Sequence, residues 1–350
     1  MQNRTLECRK FFPRFRKTGV TLLNYDLGKK ISSKLGYDKL TSFHPTVVDA
    51  YPECGVFSAS LNSTLQPKKH ILMEPLKMYS KGLQFLVQDN PKLMYTSNDP
   101  YDWTSFKELE EKGYLKEPVV PYSDVHPSLI YTANLVHTHG EQLVAQYLNC
   151  MLRRSWLFKY GRVRTLLWMN PKTALKILAS PGYQNRARIS CIREAVADYR
   201  VVIFHESPES QAKAKAKAAA SRFQNEREYL TPLIPDSEID FEKDFPYQND
   251  FALIELIPRD NYIENLDEFE YVVTHLMMRM KVPLRVGLEY LGAGALEDLA
   301  PKLPHLINKT PFNMSHDEIM QIVEVFTLWP FKPKLLLDFY EESLLALGNN

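Results

Sequence analysis

The sequence has few cysteines, and they lie far apart. Its 350 residues contain four of them, Cys8, Cys54, Cys150 and Cys191, and no Cys-x-x-Cys pair. A disulfide framework or a zinc cluster needs more cysteines at closer spacing. We therefore expect a protein of a reducing compartment, without a cysteine-bound metal.

Long apolar runs and common phosphate or nucleophile motifs are also missing. No stretch reaches the roughly 18 apolar residues of a membrane-spanning helix, so we expect no membrane association. The chain has no GxxxxGK[ST] loop and no GxSxG elbow. His137 and His139 stand close together, but without a third candidate ligand we expect no metal site.

Positive charge is concentrated in one part of a nearly neutral chain. The formal net charge is +1, yet residues 151–200 contain eleven Lys and Arg and only two acids. Residues 234–270 contain twelve acids and two basic residues. A dense basic block is typical of a protein that binds a polyanion. A solvated surface balanced by the acidic block is the alternative that charge leaves open.

The first 17 residues are basic and have no apolar core. They contain six Lys and Arg and one acid, Glu7. This composition suits an organelle-targeting segment, although it is aromatic and poor in serine, and it excludes a secretory signal. A short basic surface arm explains the same residues equally well.

Short apolar strands alternate with helical segments over most of the chain. The predicted strands are Thr46–Asp49, His70–Glu74, Lys92–Asn98, Ser128–Val136, Thr165–Met169, Arg200–His205 and Asp250–Pro258. Helical apolar spacing covers 26–35, 75–87 and 141–157. The alternation predicts an α/β fold with a Rossmann-like, doubly wound parallel sheet.

The pattern becomes helical near residue 260. We therefore predict an α/β domain at 1–260 and a smaller helical domain with a tail at 261–350. Gln211–Ser221 is a Lys/Ala run without an apolar face, and it predicts an exposed insertion near 207–249. The segment 334–347 has the leucine density of a final amphipathic helix.

Polar side chains end the predicted strands. Asp49 and Glu74 end the first two, Asp99 follows the third, and Asn134 ends the fourth. Doubly wound sheets bind nucleotide-like cofactors at the edge formed by the carboxyl ends of their strands. An acid there, such as Glu74, can accept hydrogen bonds from a ribose diol. The layout fits a methyltransferase-type site for S-adenosylmethionine.

The order of these motifs resembles that of the rRNA adenine N6-dimethyltransferases. The residues that carry this likeness are the Asp49 turn, Glu74, Asp99, Asn134–His137 and Ala179–Gly182. More closely, the chain resembles the fungal mitochondrial transcription factor B group, the specificity factor of mitochondrial RNA polymerase. The strongest matches are Asp99–Trp103, Ser155–Met169, the stretch from Ser180 to Ala195, and Trp329–Pro333.

Two departures from the enzyme pattern argue against methyl transfer. Tyr51 and Glu53 stand where the enzymes have glycines that let the backbone approach the cofactor, and only Gly55 remains. Val136 and His137 replace the proline and the aromatic ring that hold a flipped base. We therefore expect no catalysis and no bound cofactor. Asp49, Gly55, Glu74, Asp99 and Asn134 would then form a vestigial S-adenosylmethionine site.

The resemblance implies capture of the melted non-template strand of promoter DNA. Tyr101 and Trp103 follow the third strand, where a doubly wound sheet presents ligands, and their rings can stack on unpaired bases. Burial of Trp103 as a core anchor is the alternative. The predicted phosphate contacts are Arg162, Arg164, Lys176, Arg186 and Arg188.

Three functions remain open at this point. The resemblance favours a non-catalytic initiation factor of the mitochondrial matrix, monomeric before it joins mitochondrial RNA polymerase, whose C-terminal tail reaches toward the template strand. The second is an S-adenosylmethionine-dependent rRNA adenine N6-dimethyltransferase with a drifted site. The third is a scaffold that binds structured rRNA and leaves the polymerase unaffected.

Overall fold

A seven-stranded sheet organises the chain in the computed structural model, which describes residues 19–88, 90–219, 221, 223–245 and 250–334. The strands are β1 (Thr46–Ala50), β2 (Lys69–Met73), β3 (Leu93–Thr96), β4 (Val125–Asn134), β5 (Arg162–Met169), β6 (Ala197–His205) and β7 (Phe251–Pro258). The basic N-terminal arm and the segment after residue 334 lie outside the described residues, so the predictions for them stay predictions.

The strand order is β3-β2-β1-β4-β5-β7-β6. Strands β1 to β5 pair in parallel, whereas β7 is antiparallel to both of its neighbours. The α/β, Rossmann-like fold is confirmed, but the prediction of a wholly parallel sheet is wrong for β7. A strand buried on both faces has the same apolar run in either direction, so its sequence does not reveal its orientation.

Helices connect and flank these strands. The α-helices before β6 are α1 (Tyr25–Lys34), α2 (Val56–Leu65), α3 (Lys77–Val87), α4 (Thr104–Glu111), α5 (Gly140–Leu152), α6 (Pro171–Leu178) and α7 (Arg188–Val196). Those after β6 are α8 (Pro208–Ala219), α9 (Phe241–Asp244), α10 (Leu266–Met278), α11 (Leu284–Leu288), α12 (Ala295–Leu299) and α13 (His316–Thr327). Short 3₁₀ helices include Tyr37–Phe43 and Trp156–Tyr160.

The chain divides into two compact units. The first contains residues 1–174, 197–219 and 227–260, and the second contains 175–196, 220–226 and 261–350. The helical unit therefore also includes Leu175–Val196, a segment that we assigned from the sequence to the α/β domain. In that unit, Ser315 and Glu318 form a capping box at the start of α13, and the indole of buried Trp329 donates to Asp298 at 2.8 Å.

Residues 211–219 of the Lys/Ala run belong to helix α8, which buries no residue. The rest of the predicted insertion is less exposed than expected. Ile234 and Phe245 are 0% and 1% exposed and belong to a hydrophobic core cluster that also contains Trp168 and Phe251. These two apolar side chains, embedded in an acidic segment, are the signal that the sequence interpretation overlooked.

Neither a membrane span nor a metal cluster is found in the described part of the chain. None of its helices combines the length and the apolar character needed to cross a bilayer. No group of three or more His, Cys, Asp and Glu side chains there is arranged to hold a metal ion.

Candidate functional site

The parallel strands β1, β2, β3 and β4 bring their carboxyl ends to one edge of the sheet. The turn after β1 holds Tyr51 at φ +56° and Glu53 at φ +50°, both in the left-handed region that favours glycine. The backbone therefore keeps a glycine-type path, although the side chains are large. This conformation costs on the order of 1–2 kcal/mol for each such residue.

Glu74, directly after β2, is 1% exposed and serves the turn itself. Its carboxylate accepts hydrogen bonds from the Leu76 N–H at 2.9 Å and the Glu53 N–H at 3.2 Å. Its pKa is raised to about 7, mainly by burial and in smaller part by the nearby carboxylates of Asp49 and Asp99, while the two hydrogen bonds act in the opposite direction. The carboxylate predicted to bind a ribose diol thus ties two turns together.

The Glu53 side chain fills the space beside the turn. It is 6% exposed, and it accepts a hydrogen bond from the Thr21 hydroxyl at 2.6 Å. A Cβ atom at Gly19 would overlap the Glu53 carboxylate, so only glycine allows this approach. Burial raises the pKa of Glu53 to about 8, and the Glu74 charge adds to the shift while the Thr21 bond opposes it.

Asn134, at the end of β4, is occupied by the segment before α1. Its side-chain oxygen accepts from the Val20 N–H at 3.2 Å, and its amide donates to the Val20 carbonyl at 2.9 Å. The Gly19 N–H also donates to the Val136 carbonyl at 2.7 Å. Residues 19–21 therefore line the place where the sequence suggested a cofactor or a base.

The cavity between residues 20–22 and the ends of β1 and β4 is too small for S-adenosylmethionine. A cavity of about 20 Å³ remains, lined by residues that include Thr21, Asp49, Tyr51, Glu53 and Asn134. That volume holds about one water molecule, whereas ligand pockets span roughly 300–1,000 Å³. The residues present do not fit this cofactor in the arrangement that the structure shows.

Two further residues of the predicted vestigial site, Asp49 and Gly55, contact neighbouring elements of the fold. Asp49 is 4% exposed, and its carboxylate lies 3.3 Å from Nε2 of buried His70. Gly55 has φ +70° at the start of α2, and a Cβ there would approach the methyl groups of Leu86 and Leu83 within 2.8 and 2.9 Å. Asp49 thus contacts the neighbouring strand β2, and Gly55 allows close packing against α3.

Tyr101 lies on the loop after β3, and 40% of it is exposed. Its N–H donates to the Asp99 carboxylate at 2.9 Å, and the same carboxylate oxygen accepts from the Tyr51 hydroxyl at 2.7 Å. The Tyr101 ring lies against His139, with 5.4 Å between ring centroids. Sequence reasoning predicted Tyr101 and Asp99 but missed Tyr51 as their partner, since it treated that ring only as an obstacle.

Trp103 packs against other aromatic side chains. It is half-buried, with its ring 5.1 Å from Trp156 and 6.3 Å from Tyr147 between centroids. Trp156 stacks in parallel on Tyr147 at 4.9 Å. One side of Trp103 thus packs on an aromatic cluster, while Tyr101 presents the more exposed ring of this loop.

Arg162 and Arg164 do not join this edge. They lie at the amino end of β5, and the parallel β4 places its carboxyl end, at Asn134, beside Trp168. Arg162 donates to the Pro258 and Ser123 carbonyls at 2.6 and 3.0 Å. Arg164 lies 3.7 Å from fully buried Glu255. Both arginines therefore lie at the opposite edge of the sheet from Tyr101 and Trp103, and their role as phosphate contacts stays a prediction.

The other predicted phosphate contacts lie in the second unit. Arg186 is 1% exposed and donates to Glu194 at 2.6 Å and to the Ala179 carbonyl at 2.9 Å. A buried guanidinium with these partners does not reach a phosphate, so that prediction is wrong for Arg186. Arg188 is half-buried, 4.0 Å from the Glu270 carboxylate, and Lys176 is half-buried.

One cation of the basic block at 151–200 does lie near the carboxyl edge. Lys172 is exposed in the first turn of α6, directly after β5. Its signal in the sequence is its position just beyond a strand end, where ligands approach a doubly wound sheet.

A family comparison decides the lineage of the chain. The model of the ribosomal RNA adenine dimethylase family matches residues 29–328. The chain belongs to this family. Its members supply the glycine-rich pattern from which the Tyr51 and Glu53 turn departs.

Curated relatives confirm the resemblance to the fungal mitochondrial group. Mitochondrial transcription factor 1 of Saccharomyces cerevisiae is 31% identical, over 95% of this chain and 94% of the relative. The protein of that name from Lachancea kluyveri is 29% identical, over 91% and 92%. Human dimethyladenosine transferase 1, mitochondrial, is 24% identical, over 87% of this chain and 78% of the relative.

A solved structure supports the fold assignment. A dimethyladenosine transferase from Plasmodium falciparum superposes with a TM-score of 0.55 at 14% identity. The match covers 87% of this chain and 97% of that one. At this identity the likeness establishes the methyltransferase fold, and activity has to be argued from the site.

Proposed function

We propose that this protein is a mitochondrial transcription initiation factor that has lost methyl transfer. In this role it joins mitochondrial RNA polymerase at promoter DNA in the matrix and holds the melted non-template strand. The likeness to relatives named mitochondrial transcription factor 1, over nearly the whole chain, supports the general role.

The observation that carries the proposal is the closed cofactor pocket beside an exposed ring. Val20, Thr21 and Glu53 line a cavity of only about 20 Å³, while Tyr101, on the loop after β3, remains 40% exposed. A site without room for a methyl donor cannot transfer a methyl group. The same edge still offers an aromatic surface on which an unpaired base can stack.

The energies of stacking and melting are comparable. Stacking one base on an aromatic side chain contributes about 1–3 kcal/mol, and each base-pair step that opens loses about 1.4 kcal/mol of DNA stacking. Capture of one or two bases at Tyr101 and Trp103 therefore offsets the free-energy cost of opening a short bubble. Lys172 supplies positive charge near the same edge, which favours the strand without reading its sequence.

Runoff transcription tests this role. Polymerase alone and polymerase with this protein are compared on duplex promoter DNA and on the same DNA with a pre-melted start site. We expect the protein to increase transcription on the duplex and to have much less effect on the pre-melted template. No increase on the duplex would contradict the proposal.

Calorimetry with S-adenosylmethionine tests the methyltransferase alternative. We expect no heat of binding at micromolar cofactor, because Tyr51 and Glu53 occupy the turn and the remaining cavity is small. Micromolar binding would show that the pocket opens in solution, and it would return the enzyme class to consideration.

A further inference from the structure

The ring that takes the place of a glycine after β1 is joined to the exposed loop after β3. The Tyr51 hydroxyl donates to Oδ1 of Asp99 at 2.7 Å, and this oxygen also accepts the Tyr101 N–H at 2.9 Å. One carboxylate oxygen thus connects two loops that are 48 residues apart in the chain. The Tyr101 main chain is held from the side of β1.

We propose that Tyr51 is a positioning residue for strand capture, and that it acts by holding Tyr101 through Asp99. The inference rests on the proposed function, since Tyr101 must itself contact the melted strand. Tyr51 would then do more than close the cofactor pocket, because the change that removed the glycine also added a support for the capture loop.

The conformation and contacts of Tyr51 favour a positioning role over one in which its ring only occupies space in the pocket. Its φ of +56° is a strained conformation for a bulky residue, and such strain concentrates at functional sites. Its ring lies edge-on against His137, with 5.0 Å between centroids. The Tyr101 ring contacts His139, two residues later. The two tyrosines therefore rest on the same short loop after β4.

The hydroxyl of Tyr51 remains a donor at every pH of interest. Burial raises its pKa far above the usual value, and the hydrogen bond to Asp99 raises it further. A neutral hydroxyl and an acceptor carboxylate form a charge-assisted bond, which is shorter and stronger than a neutral one. Because the bond holds a main-chain turn, its loss would widen the range of positions that the Tyr101 ring can take.

Tyr51→Phe isolates this bond, since it keeps the ring and removes only the donor. Promoter opening is measured with polymerase by the fluorescence of 2-aminopurine in the non-template strand at the start site. We expect Tyr51→Phe to reduce opening of duplex promoter about 2–10-fold, the range that corresponds to one net hydrogen bond. On pre-melted DNA we expect a smaller reduction.

The decisive comparison is made in a Tyr101→Ala background. If Tyr51 acts through Tyr101, the Tyr51→Phe change should have no further effect once the Tyr101 ring is gone. A second loss of the same size in that background would overturn the inference. Tyr271→Phe serves as the matched control, because its hydroxyl donates to the Leu291 carbonyl in the helical unit, and we expect it to leave opening unchanged.

The outcomes separate the inference from the function on which it depends. Full activity of Tyr51→Phe together with impaired Tyr101→Ala would reject the positioning role and leave strand capture standing. Full activity of Tyr101→Ala would reject capture at this ring and the inference with it. Urea unfolding of each variant shows whether it is folded, and the comparison in the Tyr101→Ala background holds even if stability falls.

Discussion

The side-chain amide of Asn134 pairs with both main-chain polar groups of Val20, at 3.2 and 2.9 Å. A strand-end asparagine is well placed to bind a ligand at this edge of a doubly wound sheet. Here the protein's own backbone uses both of its hydrogen-bonding groups. Residues 19–21 thus cover this edge of the sheet, and Glu53 contacts them through the Thr21 hydroxyl.

The variants Tyr101→Ala and Trp103→Ala should differ in their stability toward urea. Tyr101→Ala removes an exposed ring, so we expect reduced capture of the non-template strand, by up to about 3 kcal/mol of stacking, with an unchanged urea midpoint. Trp103→Ala also removes contacts with Trp156 and Tyr147, each worth about 0.5–1.5 kcal/mol, and it should lower the midpoint. The double variant Tyr101→Ala, Trp103→Ala should lose more transcription on duplex than on pre-melted templates. Equal losses of transcription on the two templates would exclude capture of bases.

Arg186 should prove structural. Its guanidinium is buried with Glu194, and removing one member of a buried pair typically costs about 3–5 kcal/mol. We expect Arg186→Ala to destabilise the protein by about this amount in urea unfolding. Lys217→Ala, on the exposed helix α8, is the control and should change stability little. A stable Arg186→Ala protein that binds DNA weakly would instead support a phosphate contact.

Glu53 should make stability fall as pH rises. Its pKa is about 8 in the folded protein and near 4.5 when exposed, so the folded state binds more protons than the unfolded state between these values. By linkage, the free energy of unfolding then decreases with pH across this interval and levels off above about pH 8. Glu74, with a pKa of about 7, contributes in the same direction.

Glu53→Gln tests this dependence, because glutamine keeps an acceptor for Thr21 and cannot ionise. We expect the variant to gain stability relative to the parent at pH 8.5, on the order of a few kcal/mol, and to lose most of that gain at pH 5. Urea unfolding at the two pH values provides the measurement. Glu108→Gln is the control, because the pKa of that carboxyl is lowered by Lys112. We expect it to leave the change in unfolding free energy between pH 5 and pH 8.5 as it is in the parent.

Lys172 should contribute to the salt dependence of DNA binding. If it contacts a phosphate, Lys172→Gln should weaken binding to pre-melted promoter DNA and reduce the slope of log K against log salt by about 1. The slope is measured by fluorescence anisotropy at several salt concentrations. Lys215→Gln on the exposed helix α8 is the control, and equal slopes for both variants would place the phosphate elsewhere.

Strand positions were predictable because buried strands have a distinct composition. The predicted Thr46–Asp49 corresponds to β1 (Thr46–Ala50), and Asp250–Pro258 corresponds to β7 (Phe251–Pro258). The polar residues after β1 to β4 could also be placed at one edge, since parallel strands end together. The direction of β7 could not be predicted, because apolar runs have no polarity along the chain.

The distribution of charge predicted functional residues less well than the apolar pattern predicted strands. Arg186 belongs to the dense basic block, yet it is buried, because Glu194 and main-chain carbonyls accept hydrogen bonds from its two terminal nitrogens. Arg164 is held by Glu255, which is 91 residues away in the chain. Pairings over such separations depend on tertiary contacts that local composition does not encode.

The sequence alone determined the sheet, the family and the loss of the glycines at Tyr51 and Glu53, since each depends on residue type and order along the chain. Only the tertiary structure showed which residues occupy the predicted cofactor pocket. Residues 19–21 and Glu53 close it, and the Tyr51 hydroxyl reaches Asp99, because folding brings together loops that are distant in the chain. Those contacts depend on distances and directions in space, which the order of residues does not reveal.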